Sequence, residues 1–592
     1  MITIRLSSGN RIRLIVHPVG GNSISTGGPL LHWEVVPAQD QDDVQQLSDS
    51  LNVSPIISNI LLNRNIRTFD EAKQFFRPNW DDIHDPFLML DMEKAADRVC
   101  DALRNKERIF IYGDYDVDGI TSVSLLVLFF RSLGVEVAHY IPDRLKEGYG
   151  LSEQGMQQAA QWGASLVITV DCGITAIDEV AYAQSLDIDV IVSDHHQPGN
   201  ELPQAVAVID PKRSDCEYPF KELAGVGVAF KLIQAVSLRT GLEDITWKNL
   251  VDLVALGSAA DIVPLVDENR LYVSKGLELI NEYPSTGIHA LIQGAGLEGR
   301  EISTGQIVFM LAPRINAVGR MGNAERAVHM LVSNEFEEAK QIASILESEN
   351  NLRKTIDEET FKEAMEMIVE SGSDSEMAVV LAKDGWHSGV IGIVASRIVE
   401  RIYRPTIMIA IEDGVGKGSA RSIPDFDVYS AIKECDSYLL AFGGHKYAAG
   451  LSIETEKIDE FRKAFQSVAE AALGEEELVP RLHIEAEINL DDVDDKLVRI
   501  LNQFAPFGPK NMRPVFMSQN LQVVGTPRIV GQNHLKLKVR QKNKIFDAIG
   551  FNLGHMIDRL ETNGGGLYLA YVIETNTWNG QTKIQLRIKD LK

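Results

Sequence analysis

Between about residues 90 and 265, short β-branched apolar runs alternate with helical stretches, and each run leads into carboxylates or imidazoles. RIFIY precedes GDYDVDG, with Asp114, Asp116 and Asp118, and SLVITV precedes DCG, with Asp171. DIDVIVS precedes DHH, with Asp194, His195 and His196, and VDLVALG precedes SAADIVPL, with Asp261. Apolar runs of this length, separated by helices, read as a parallel sheet covered on both faces. Such sheets bind ligands beyond the carboxyl ends of their strands, which is where the polar clusters fall. Oxygen and imidazole donors arriving from several strand ends suit hard divalent cations, and they suit two better than one. A close metal pair suits hydrolysis of a phosphate ester.

Each cluster also has an ordinary reading. In GDYDVDG the aspartates fall at i, i+2 and i+4, so an extended backbone would turn all three the same way. A lone DxD is usually a solvated turn, and no Glu stands at the twelfth position that a calcium-binding EF-hand loop needs. A His pair alone is usually a surface or core feature. Recurrence after similar runs tips the reading towards metal. In DHH, adjacent side chains diverge, so one imidazole is expected on a metal and the other towards substrate, with Asp194 as the partner that orients a ligating ring. Asp261 is either a helix cap or a metal contact, and the cost of a buried, unpaired carboxylate favours the metal. Cys172, beside Asp171, reads as a small strand-end residue. Further along, KGSARSIPDFD offers Lys417, Ser419, Arg421 and Ser422, and AFGGHKYAAG offers Gly443, Gly444 and His445. Glycine lets backbone approach a phosphate, and Arg and Ser donate to it. Either segment alone would read as a tight turn with a surface cation.

A chain of 592 residues exceeds one hydrophobic core and should hold three or four domains. The fold class expected is α/β, with two α/β lobes joined by a long helix, followed by a C-terminal OB-type β-barrel. The boundaries expected are 1–80 for an N-terminal extension and helical segment, 81–325 for the metal-binding domain and 326–372 for the connecting helix. The second α/β domain is expected over 373–470 and the barrel over 471–592. Residues 1–30, with GGNSISTGG, read as loosely attached. LHIEAEI, LKLKVRQ, IFDAIGF and KIQLRIKDL alternate as half-buried strands do, and TNTWNGQTK carries an Asn-Gly hairpin turn.

The net charge of −26 opposes broad duplex binding, since phosphate contacts need Lys and Arg. A basic groove can still sit inside an acidic shell, so a narrow channel for one strand stays open. No stretch approaches the ~20 apolar residues of a membrane span, and the N-terminus lacks a signal-peptide pattern. Cys100, Cys172, Cys216 and Cys435 show no CxxC spacing. That argues against a disulfide framework or a zinc-binding cysteine set, and fits a reducing, cytoplasmic setting.

Taken in order, GDYDVDG, VDCGIT, SDHHQPG, ELAGVGVAFKL, ADIVPL, PRINAVGRMG, GWHSGVIGIVASR and GGHKYAAG resemble the DHH phosphoesterase superfamily with a DHHA1 second domain. The likeness runs from about residue 60 to the end, and PFGPKNMRPVF with its following hairpins is similar to the OB domain of that superfamily's exonuclease branch. The resemblance implies that Asp116, Asp118, Asp171, His195 and Asp261 hold two Mn²⁺ or Mg²⁺ ions, with Asp118 or Asp171 bridging. It places Asp114 and His196 at the edge of that shell. It assigns Arg144, Arg320, Ser419 and Arg421 to a 5′ terminal phosphate, and Gly444 and His445 to the nucleic-acid backbone. Many relatives carry a His two residues before Asp114, where this chain has Tyr112, so Asp114 or a water is expected to fill that place. The implied activity is two-metal, 5′-to-3′ hydrolysis of single-stranded DNA to 5′-mononucleotides in repair and recombination, with a cleft between the lobes admitting one strand. The implied partners are a single-strand-binding protein and a RecQ-type helicase, with the chain itself a monomer. One rival is a superfamily enzyme for short oligonucleotides, cyclic dinucleotides or pyrophosphate, which would not need a large barrel. The other is a strand-binding relative without catalysis, which would have lost its acidic and His positions.

Overall fold

The computed structural model describes residues 2–5, 11–14, 29–144, 147–148, 150–321, 323–562, 566–578 and 580–592. It divides into two compact units. One comprises Lys73–Arg353 and Phe504–Met512; the other comprises Met1–Ala72, Lys354–Gln503 and Arg513–Lys592.

The first unit is built on five parallel strands: β1 (Ile109–Gly113), β2 (Val137–Tyr140), β3 (Leu166–Val170), β4 (Asp189–Ser193) and β5 (Ala207–Ile209). Their order is β2-β1-β3-β4-β5. β1 and β3 are buried along their whole length, as expected of a sheet covered on both faces. The winding reverses between β1 and β3, so their carboxyl ends flank the crevice where ligands of doubly wound sheets bind. Helix α1 (Val117–Ser132) follows β1, α2 (Glu153–Trp162) follows β2 and α3 (Ile177–Ser185) follows β3. The Ser152 hydroxyl caps α2 by accepting from Gly155 N at 3.1 Å, the role its position predicts.

One expectation fails here, and the start of another element moves. VDLVALG is not a strand but part of helix α5 (Val251–Ala260), which comes after α4 (Gly225–Thr240). Nearly every residue of α5 is buried, so it shows no periodic polar face, and a short apolar run of that kind cannot be told from a buried strand. The expected connecting helix is two helices. After α6 (Ala312–Met321), α7 (Glu325–Val332) stops at Ser333, and α8 (Phe336–Ser371) starts afresh. Ser333 is extended, and its hydroxyl accepts from Glu335 N at 3.1 Å and donates to Glu338 Oε2 at 2.6 Å. A serine that offers its neighbours such bonds competes with the helix ladder.

The other unit holds a mixed sheet and a barrel. The sheet comprises β6 (Val379–Asp384), β7 (Thr406–Glu412), β8 (Val415–Arg421), β9 (Leu439–His445) and β10 (Ala448–Glu454), in the order β9-β10-β8-β7-β6. Helix α9 (Ile391–Ile402) connects β6 to its parallel neighbour β7. The barrel comprises β11 (Phe516–Val530), β12 (His534–Gln541), β13 (Lys544–Gly550), β14 (Leu567–Trp578) and β15 (Gln581–Leu591). Pairing runs β11-β12-β13-β15-β14 and returns to β11, which closes five strands into the ring expected of an OB-type fold. Residues 2–5 pair with 11–14 as a hairpin, whereas GGNSISTGG lies outside the described residues, as does Asn579 of the Asn-Gly turn. Among the described residues, no helix is long and apolar enough to cross a membrane.

Candidate metal centre

The first acidic motif does not continue the strand. Asp116 instead caps α1, its carboxylate accepting from Asp118 N at 2.9 Å and Gly119 N at 3.1 Å. The expectation of three carboxylates aligned by an extended backbone is therefore wrong; a strand end and a helical first turn bring them together. Gly119 is required because a Cβ there would lie 2.4 Å from Asp114 O. Asp118 points across to the start of α4 and accepts from Gly225 N at 2.6 Å and Val226 N at 2.9 Å. A helix N-terminus favours its charge, yet burial and neighbouring Asp116 push its carboxyl up to about 7.

Asp171 follows β3 with φ 59°, a left-handed conformation that Asp tolerates better than most residues. Gly225 backs it closely: a Cβ on Gly225 would stand 2.8 Å from both Cβ and Oδ1 of Asp171.

His195 shows what the pocket is shaped to hold. Its Nδ1 lies 3.0 Å from Leu223 O. A carbonyl only accepts, so Nδ1 carries the proton and Nε2 presents a lone pair. That Nε2 is 3.0 Å from Asp171 Oδ1, 3.7 Å from Asp261 Oδ2 and 3.8 Å from Asp118 Oδ2, with no hydrogen bond of its own. Burial, helped by His196, drops the ring to about 3, so it is neutral. A lone pair facing three carboxylates is repulsive unless a cation lies among them. Asp114 Oδ1 is likewise buried without a hydrogen bond. Burial first, then neighbouring carboxylates, holds Asp114, Asp171 and Asp261 well above the usual range. The residues present thus fit a pair of divalent cations.

The donors form overlapping sets: Asp118, His195 and Asp261; Asp171, His195 and His196; and Asp114, Asp116 and Asp171. Within each set the ligand atoms all lie within 4.8 Å of one another. The structure brings Asp114, Asp116, Asp118, Asp171, His195, His196 and Asp261 together. Asp261 arrives from the C-terminal end of α5 rather than from a strand.

Asp194 orients an imidazole, and the structure shows which of the two it is. Asp194 is buried and accepts from Ile174 N, His195 N, His196 N and His196 Nδ1, at 2.9, 2.7, 3.1 and 2.8 Å. It therefore orients the His196 ring, while Leu223 O orients His195. Burial alone would raise Asp194, but its bond from His196 holds it below the usual range. In return, and against its own burial, His196 is pushed up to about 9 and is a cation at neutral pH. Tyr112 lies in a separate aromatic pocket, 5.3 Å from the Tyr140 ring, with its hydroxyl donating to Gly150 O at 3.1 Å. Burial raises the Cys172 thiol, and its Sγ donates to Val170 O, so it presents no thiolate. Leu223 and Gly225 escaped notice as site residues, because a carbonyl and an absent Cβ leave no residue-type signal.

The candidate phosphate residues fall in both units. In the first, the Arg144 guanidinium lies 4.8 Å from the Tyr115 ring centre, Arg320 lies in the last turn of α6, and the charges of both bear on the Tyr115 hydroxyl. In the other, Arg421 Nη1 donates to Ser419 Oγ at 3.1 Å, both on β8. Gly392, in the first turn of α9, leaves them room: a Cβ there would meet Ser419 Oγ at 2.7 Å and Arg421 Nη2 at 3.0 Å. An arginine and a hydroxyl beside a helix N-terminus suit a phosphate. Gly444 has φ 148°, and a Cβ on it would lie 2.5 Å from Ala448 O; next to it, His445 ends β9.

Comparison with known proteins gives three family matches: the DHH family N-terminal domain over residues 108–258, the DHHA1 domain over 374–471 and the RecJ OB domain over 484–590. The single-stranded-DNA-specific exonuclease RecJ of Bacillus subtilis is 40% identical over 564 residues, covering 95% of this chain and 70% of that protein. Its counterpart in Dickeya dadantii is 35% identical, covering 92% and 97%. The crystal structure of Thermus thermophilus RecJ in complex with Mn²⁺ superposes with a TM-score of 0.81 at 28% identity, covering 95% of this chain and 79% of that one. A structure of the same protein with Mg²⁺ gives a TM-score of 0.75 at 26% identity, covering 95% and 78%. This chain belongs to the RecJ family of single-stranded-DNA-specific exonucleases.

Proposed function

We propose that the protein is a metal-dependent exonuclease that degrades single-stranded DNA from its 5′ end and releases 5′-mononucleotides. The observation that carries this reading is the bare His195 Nε2 among Asp118, Asp171 and Asp261, in a chain whose relatives are named for this activity. Asp114, Asp116, Asp118, Asp171, His195 and Asp261 would hold two Mn²⁺ or Mg²⁺ ions. When bound, the ions supply an activated water and Lewis-acid stabilisation of charge at phosphorus.

The chain's own residues do the rest. Leu223 O and Asp194 hold the two imidazoles in fixed tautomers and orientations. His196, kept cationic by Asp194, is placed to donate to a phosphate oxygen or to the leaving oxygen. Arg144, Arg320, Ser419 and Arg421 are our candidates for gripping the terminal 5′ phosphate, which would set the register of one-nucleotide steps. Gly444 and His445 would meet the backbone further along, and the barrel would hold the strand by stacking and charge. We assign the metal-binding domain to 81–325, the second α/β domain to 373–470 and the barrel to 471–592. The setting is cytoplasmic DNA repair and recombination, the chain acting as a monomer with a single-strand-binding protein and a RecQ-type helicase.

The test is a long strand labelled at its 5′ end, incubated with Mn²⁺. Labelled mononucleotide should appear while most of each strand is still long. A ladder of labelled intermediates would instead mean attack from the 3′ end or within the strand.

A further inference from the structure

The first unit carries a second cluster of metal-binding side chains that the nuclease chemistry does not use. Strand β2 lies at the edge of the parallel sheet and carries His139. Helix α7 presents Glu325 in its first turn and His329 four residues on, so both lie on one face. The two imidazole rings meet edge to face with centres 5.6 Å apart. One ligand atom from each of the three side chains lies within 4.8 Å of the other two.

His139 gives the independent sign of a missing ligand. Its side chain is 8% exposed, and Nε2 is buried without a hydrogen bond. The nearest carboxylate oxygen, Glu325 Oε1, is 3.9 Å away, too far for a hydrogen bond. Burial lowers the ring to about 4, so His139 is neutral at physiological pH and makes no ion pair with Glu325. What remains is a buried neutral imidazole aimed at a carboxylate and a second imidazole. The remaining cluster among the described residues, His84, Asp267 and Glu268, is different, because Glu268 is already committed to Lys231, Tyr218 and Tyr272.

We propose that His139, Glu325 and His329 form a transition-metal site separate from the nuclease centre, of the chemistry that takes Zn²⁺. Two imidazoles and one carboxylate are a zinc donor set, with a fourth position left for water. Ligands of a tetrahedral Zn²⁺ stand roughly 3.3 Å apart, so the three donors must close by up to about 1.5 Å. Glu325 and His329, the more exposed pair, can make that movement. The charge of Arg131 also reaches His139 and offsets part of the attraction. None of the three residues belongs to the nuclease donor sets. His139 stands five residues before Arg144 and Glu325 five after Arg320, so an ion here would tie together the segments that carry both arginines.

The experiment uses the full chain with excess Mg²⁺ to saturate the nuclease centre, and titrates Co²⁺ as a visible probe, then Zn²⁺ in competition. Wild type should bind one more equivalent than His329→Ala, with a visible absorption band that Zn²⁺ abolishes. Glu325→Gln should weaken that binding by at least about 100-fold. Both variants should keep the Mg²⁺-supported nuclease rate and the wild-type melting temperature in the absence of added Co²⁺ or Zn²⁺. Equal Co²⁺ uptake and equal spectra in wild type and His329→Ala would overturn the proposal, as would wild-type binding weaker than about 1 mM.

Discussion

Gly225→Ala tests the packing behind the metal centre without touching a ligand. The new Cβ would stand 2.8 Å from Asp171 Oδ1, where ordinary contact begins at 3.4 Å, so the carboxylate must retreat by about 0.6 Å. Gly225 N also holds Asp118, so any shift of the backbone disturbs a second candidate ligand. A misplacement near 1 Å costs on the order of 10²-fold in rate, which scales here to roughly 10–100-fold, or about 1.4–2.7 kcal/mol of barrier. The overpacking costs about 1–3 kcal/mol of stability, offset by up to about 1 kcal/mol for replacing glycine in a helix. The assay is kcat for mononucleotide release at saturating Mn²⁺ and DNA, beside a melting curve. The expected result is a folded protein with a rate down at least about tenfold. A kcat within about threefold of wild type would show that Asp171 has slack, and the argument from close packing would fail.

Removing metal with a chelator should abolish hydrolysis, and restoring Mn²⁺ should raise the melting temperature by relieving the buried carboxylates; in Asp171→Ala most of that rise should vanish, as calorimetry would show. Lys231 Nζ lies 2.6 Å from Glu268 Oε1 with both side chains fully buried, so Lys231→Met should cost about 3–5 kcal/mol in urea unfolding, and adding Glu268→Gln should recover much of it. An unchanged urea midpoint would refute the first claim. Arg421→Ala should lower kcat/KM on a 5′-phosphorylated strand by roughly 10–100-fold and on a 5′-hydroxyl strand far less. Equal losses on both substrates would sink the phosphate assignment.

The strands of the parallel sheet were legible because β-branched runs with glycine and polar borders have few other readings. The same rule misplaced VDLVALG, since a helix buried on every side lacks the polar face that reveals helical period. The break at Ser333 was not legible, because apolar spacing continues on either side and only a local side-chain bond interrupts the ladder. In the metal centre, residue type alone marked each candidate ligand, yet it left open which imidazole Asp194 would orient. Which ring a carboxylate orients depends on where backbone carbonyls lie, and Leu223 O had no trace in composition.

What the chain's order of residues determined by itself is the chemistry available: carboxylates and imidazoles placed just after apolar elements, too many and too regular to be solvated turns. Folding decided which of them meet. Asp118 and Asp261 are 143 residues apart, and Asp118 is held by the first amides of a helix that starts more than a hundred residues after it. Such meetings depend on strand order, on helix ends and on the missing side chain of Gly225. These are properties of three-dimensional packing, and no single stretch of sequence carries them.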